Sequence, residues 1–119
     1  DNDQSKTNVN LDEFKGNLAR LIKLASEFTA NIIIIGLNKV FEDEVQPIPW
    51  RTEVFYSNKN IELYNNAIKE VCQTEGTSYI DIINTIEMTD LDDGLHPNTK
   101  GHEKVFNIVN DYLVRGKFI

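Results

Sequence analysis

The sequence predicts an α/β fold in which a parallel sheet carries helices on both faces. Three observations lead there. Stretches with apolar residues at helical spacing alternate with short apolar runs along the 119 residues. One run, Ile32-Ile33-Ile34-Ile35, lacks in–out alternation, which marks a strand covered on both faces. The stretch between the two strand-like runs is long enough for the helical crossover that parallel strands require.

Residues 1–10 are polar and aperiodic, and read as loop. Leu11, Phe14, Leu18, Leu21, Ile22, Ala25 and Phe28 then form one apolar stripe, the signature of an amphipathic helix. Asn10 is placed to cap it, with Glu13 three residues on in the capping-box position. The first strand spans 32–37, and its Gly36 fits either a close backbone approach or a simple turn. Residues 38–56 contain Pro47, Pro49 and the acids Glu42, Asp43 and Glu44. They read as a long loop with room for a short turn of helix, and loops of this length are often functional.

The second helix covers about 57–75. Its stripe is Ile61, Tyr64, Ile68, Val71 and Cys72, and Gly76 is placed to end it. Residues 78–82 read as a second, shorter strand, and 83–97 as loop. The last helix starts at Asn98 or Thr99, with the stripe Val105, Phe106, Val109, Tyr112 and Leu113 and with Gly116 behind it.

Two parallel strands do not make a stable sheet by themselves, and the isoleucine run is too apolar for an exposed edge. The remaining strands are therefore expected from a second chain or from sequence upstream of Asp1. Composition narrows the partners. Twelve basic against nineteen acidic residues give a net charge of -7, which repels nucleic acid and anionic membrane surfaces. No apolar run reaches membrane-spanning length, and the first residues do not form a secretory leader. The single Cys72 excludes an internal disulfide and a cysteine metal site. It fits the reducing cytoplasm and is tolerated outside it.

The sharpest cluster is Asp93-Gly94-Leu95-His96-Pro97-Asn98, followed by Gly101-His102. A carboxylate three residues before an imidazole in a loop can curl back and accept the ring's Nδ1 proton. That fixes the tautomer and stabilises the imidazolium formed during proton transfer. Gly94 permits the tight turn, and Pro97 holds His96 extended at a sheet end, where open α/β folds bind ligands. The alternative is a polar helix-capping loop with His96 on the surface. Asp90 and Asp92 compete with Asp93 for the carboxylate role. Spacing favours Asp93 and leaves Asp92 open. His102 lies on the last helix without a third ligand, so no metal is expected. Trp50, Phe55 and Tyr56 either line an acyl or aromatic pocket or cover the sheet edge.

This block resembles the last signature of the SGNH (GDSL-type) hydrolase family, in which an Asp and a His two residues apart complete a Ser-His-Asp triad. The resemblance implies that Asp93 orients His96 and that His96 is the general base. The opening Asp1-Asn2-Asp3 resembles the family's Gly-x-Asn-Asp block, which makes Asn2 the oxyanion-hole donor and places the block's glycine just before Asp1. It also implies a three-layer αβα sheet of flavodoxin-like type, of which this chain holds the later strands and helices. On this reading, residues 1–119 are the C-terminal part of one SGNH domain. The serine block and the first strands lie upstream. Ser5, Ser26, Ser57 and Ser78 sit on no strand-to-helix turn, so none replaces that serine.

The function implied is hydrolysis of a small-molecule ester or thioester without a cofactor, the 119-residue chain alone being inactive. The alternatives are a non-catalytic flavodoxin-like binding module that borrows strands, and a pseudoenzyme. Neither strand is followed by a glycine-rich phosphate loop, which weighs against the binding module.

Overall fold

The first helix, α1 (Leu11–Ser26), starts where the sequence places its cap: the Asn10 side chain accepts from the Glu13 N–H at 2.8 Å. The computed structural model of the chain describes residues 7–119. Strand β1 (Ile33–Ile35) follows, then a short α2 (Glu42–Val45) and the long α3 (Asn58–Glu75). Ser57 caps α3 by accepting from Asn60 N–H at 3.2 Å. Gly76 ends it at φ +69°, a left-handed backbone that side chains resist. Strand β2 (Ser78–Ile80), a 3-10 turn (Met88–Asp90) and α4 (Thr99–Arg115) complete the chain.

The strands pair in parallel, with Ile33 opposite Ser78, Ile34 opposite Tyr79 and Ile35 opposite Ile80. Side-chain alternation then sends Ile34 and Tyr79 toward one face. There they meet α1 and α3 around a core of Ile22, Ile68, Val71 and Cys72. Ile80 takes the other face, and with Ile108 and Tyr112 of α4 it lines a shallow concavity. Helices thus lie on both faces of a parallel sheet. Burial pushes the Cys72 thiol up, consistent with its place as a small core hydrophobe.

Two expectations need correction. Each strand is three residues long rather than five or six. The isoleucine run is also not covered on both faces: Ile35 is 44% exposed. Among the described residues only β2 borders β1, so the run has one neighbour where its composition suits two. The helices are similarly open, with Leu21 and Leu24 of α1 and Phe106 of α4 all exposed. The accessible area of 7766 Å² exceeds the roughly 6,600 Å² of a closed monomer of this mass. The radius of gyration, 15.5 Å, likewise exceeds the roughly 13.5 Å of a compact domain this long.

A second core sits where the sequence shows only loop. Val40, Val45, Ile48 and Val54 are buried together, with Tyr56, Ile61 and Leu95 packed against them. The spacing of these residues follows neither strand nor helix period, because α2 supplies one of them and turns supply the rest. Gly36 sits tightly against α3 and β2: a Cβ there would lie 2.6 Å from both Asn65 Oδ1 and the Tyr79 hydroxyl.

Candidate active site

The Asp-His block folds into a tight loop between the 3-10 turn and α4. Asn98 N–H donates to the Asp90 carbonyl at 2.7 Å, and Asp92 N–H to the His96 carbonyl at 2.8 Å. Leu91 and Pro97 form an antiparallel bridge between these two bonds. The chain must reverse at Asp93-Gly94-Leu95, and Gly94 does so at φ +82°.

Inside this loop Asp93 turns back on the chain. Its Oδ1 accepts the backbone N–H groups of Leu95 at 3.0 Å and His96 at 2.7 Å. Its Oδ2 lies 2.7 Å from His96 Nδ1. The His96 backbone N–H is the main cause that holds this carboxyl down at about 2, with the ring and the Leu95 N–H adding to it and burial opposing. A carboxylate that stays ionised can only accept. Nδ1 of a neutral His96 must therefore carry the hydrogen, which leaves the Nε2 lone pair available for a proton. The His96 side chain is 63% exposed, so it can be approached.

Three contacts fix the loop from outside. The Gly94 carbonyl accepts from Phe41 N–H at 2.8 Å. A Cβ on Gly94 would lie 2.7 Å from Glu44 Cβ, so the loop tip rests directly on α2. Leu95 plugs into the second core. At the base of the loop, Asp90 is wholly buried, and its Oδ2 accepts from Lys104 Nζ at 2.6 Å and Glu87 N–H at 2.9 Å. The hydrogen bond between them lowers Asp90 and raises Lys104 from their ordinary values. Its Oδ1 has no hydrogen-bond partner among the described residues. Asn98 caps α4 by accepting from Gly101 N–H at 3.0 Å, and its amide donates to the Thr89 carbonyl at 2.9 Å. Trp50 lies over the imidazole, with ring centroids 6.2 Å apart and planes 28° from parallel.

Residues 2–104 match the GDSL-like lipase/acylhydrolase family.

The chain belongs to the GDSL-like lipase/acylhydrolase family.

Solved structures agree on the fold. A Bacteroides fragilis protein described as an acylhydrolase superposes with a TM-score of 0.74 at 16% identity, over 90% of this chain and 53% of its own. A GDSL-like lipase from Bacteroides thetaiotaomicron gives 0.71 at 18%, over 90% and 54%. An acetylxylan esterase from Geobacillus stearothermophilus gives 0.61 at 17%, over 84% and 45%. The chain therefore has the αβα parallel-sheet fold of the SGNH hydrolases and spans about half the length of the solved structures it matches. A comparison with curated proteins finds no match.

For this GDSL-like chain, the structure brings Asp93 and His96 together as the sequence expects. Asn2 lies outside the described residues, as does Ser5. Ser26 donates to the Lys23 carbonyl, Ser57 caps α3 and Ser78 opens β2. None of these three described serines hydrogen-bonds to His96. Of the competing acids, Asp90 is committed to Lys104, while Asp92 is exposed and its backbone N–H braces the loop. His102 is exposed on α4, and among the described residues no three His, Cys, Asp or Glu side chains group to hold a metal. Sequence reasoning missed the Asp90–Lys104 clamp, because a separation of fourteen residues carries no periodic signal. It also left Trp50 undecided between pocket and edge; Trp50 stacks on His96.

Proposed function

We propose that this chain supplies the carboxylate and imidazole of a Ser-His-Asp triad in an ester or thioester hydrolase, with the serine upstream of Asp1. The observation that carries the reading is the 2.7 Å contact between Asp93 Oδ2 and His96 Nδ1, within a loop that leaves the imidazole open. In the forward step, His96 Nε2 takes the serine proton as the oxygen attacks the acyl carbonyl. The resulting imidazolium, paired with Asp93, returns that proton to the departing alcohol or thiol. Water then repeats the sequence on the acyl-enzyme and releases the acid. Asn2, at the family's asparagine position, would donate its amide to the oxyanion, a contribution on the order of 3 kcal/mol to the barrier. The open β1 edge and the exposed faces of α1 and α4 support an upstream part of the same domain completing the sheet.

A fluorophosphonate probe tests this directly. A protein extended upstream through a Gly-Asp-Ser block should label at that serine, and the 119-residue chain should not. In the extended protein, His96→Ala should lower kcat by about 10²- to 10⁴-fold. Asp93→Asn should lower it as well, because an amide in place of the carboxylate no longer enforces the Nδ1–H tautomer. Stoichiometric labelling of the 119-residue chain, or full activity in His96→Ala, would refute the assignment.

A further inference from the structure

We propose that Trp50 is a positioning residue for His96: its indole faces the imidazole, restrains the ring's rotation and stabilises the protonated form. The proposal deepens the triad reading by adding a residue that acts through the base.

The geometry begins in the backbone. Trp50 sits in a β-turn closed by Arg51 N–H to the Ile48 carbonyl at 3.3 Å, with Pro49 at the position where a preset φ suits such a turn. A second bond, Ile48 N–H to the Val54 carbonyl at 3.0 Å, ties the turn's flanks together. Ile48 and Val54 are both buried in the second core. The turn is thus anchored on either side, although Trp50 itself is 56% exposed. Leu95, next to His96, packs into the same cluster. One small core therefore fixes the separation of indole and imidazole.

A centroid distance of 6.2 Å with near-parallel planes falls within the range of offset aromatic stacking. The indole face is electron-rich, so it attracts the imidazolium more than the neutral ring. The indole stands on one face of the ring while Asp93 holds the Nδ1 edge. Two restraints at right angles, one on an edge and one on a face, define the ring's plane and its rotation.

Several charged groups neighbour the pair. Asp93 contacts the ring, and Asp92 braces the loop through its backbone. Glu44 of α2 lies under Gly94. Arg51 and Glu53 flank the Trp50 turn and pair with each other at 2.6 Å. Asp93 and Glu53 are both held below their ordinary values, so neither titrates together with an imidazole.

The experiment needs no catalysis, so its failure is separable from failure of the triad reading. Trp50 is the chain's only tryptophan. An imidazolium stacked on indole quenches its emission by accepting an electron from the excited ring, and neutral imidazole does so far less. Tryptophan emission of the 119-residue chain, followed over the acid range, should therefore fall in one step as the imidazolium forms. The step should vanish in His96→Gln and persist in His102→Gln, Glu44→Gln and Asp92→Asn. In a second measurement, the proton NMR signal of the His96 ring should move downfield in Trp50→Leu, through loss of ring current, and stay near its place in Trp50→Phe. Emission that is flat across this range, a step that survives His96→Gln, or a His96 signal unmoved in Trp50→Leu would overturn the proposal.

Discussion

Asp93 differs from an ordinary surface aspartate in one respect: both of its carboxyl oxygens are engaged from within its own loop. Its folded value of about 2 lies below the ordinary 3.8, so the folded state binds this proton less readily than the unfolded chain. The contribution to stability is thus fully present above about pH 4 and fades as pH falls through about 2. Thermal unfolding should show it: the Tm gap between wild type and Asp93→Asn should be steady above about pH 4 and close toward pH 2. A gap unchanged at pH 2 would contradict the geometry. On the proposed triad reading the same ionisation matters for chemistry, since Asp93 stays charged wherever His96 would work as a base. This part of the site was legible from the sequence because all its determinants are local. Carboxylate, glycine, imidazole and proline fall within five residues, and the hydrogen bonds that join them span three residues or fewer. Trp50 was not legible as a partner of His96, because the contact bridges two loops with no shared periodicity.

At the level of elements, the Asn10 cap was legible in the sequence, and the structure adds two more of the same kind. Asn10, Ser57 and Asn98 each accept from the N–H three residues on, because a short polar side chain at a helix start meets donors the helix leaves unpaired. The last of these joins structure to site, since Asn98 caps α4 and closes the base of the Asp-His loop. Gly101, in the first turn of α4, is needed for that closure. A Cβ there would lie 2.5 Å from the Asp90 carbonyl oxygen and 2.9 Å from Pro97 Cβ. Gly101→Ala should therefore destabilise the chain by about 1–3 kcal/mol through overpacking. It should also weaken the Trp50 quenching step, because the loop must shift to relieve the clash. Urea unfolding followed by fluorescence reads both, and an unchanged midpoint would show that the loop base has room for a Cβ at Gly101. Strand lengths were the least readable feature. Isoleucine content announces a strand, but its ends depend on neighbouring backbone that the sequence of one strand does not specify.

The whole molecule is a slab of 41 × 33 × 20 Å, with its apolar surface distributed along β1, α1 and α4. The sequence already showed more apolar strand than two paired strands can cover, and the exposed Ile35 is the structural counterpart of that surplus. The α/β class and the helix order were readable because amphipathic period and strand alternation are global patterns. The open faces were readable only as a shortage. An upstream extension that completes the sheet should lower the binding of an apolar dye such as ANS and raise the unfolding midpoint. If dye binding were equal with and without the extension, the sheet would be completed by something else, such as a second chain.

The small core of Val40, Val45, Ile48 and Val54 also bears on loop exchange within this family. It holds the Trp50 turn on one side and Leu95 on the other, so two loops distant in sequence move as a single body. Grafting a relative's 38–56 segment would shift Leu95 and, with it, the neighbouring His96. Loop exchange at this site should therefore succeed only when the graft brings matching apolar contacts for Leu95 with it.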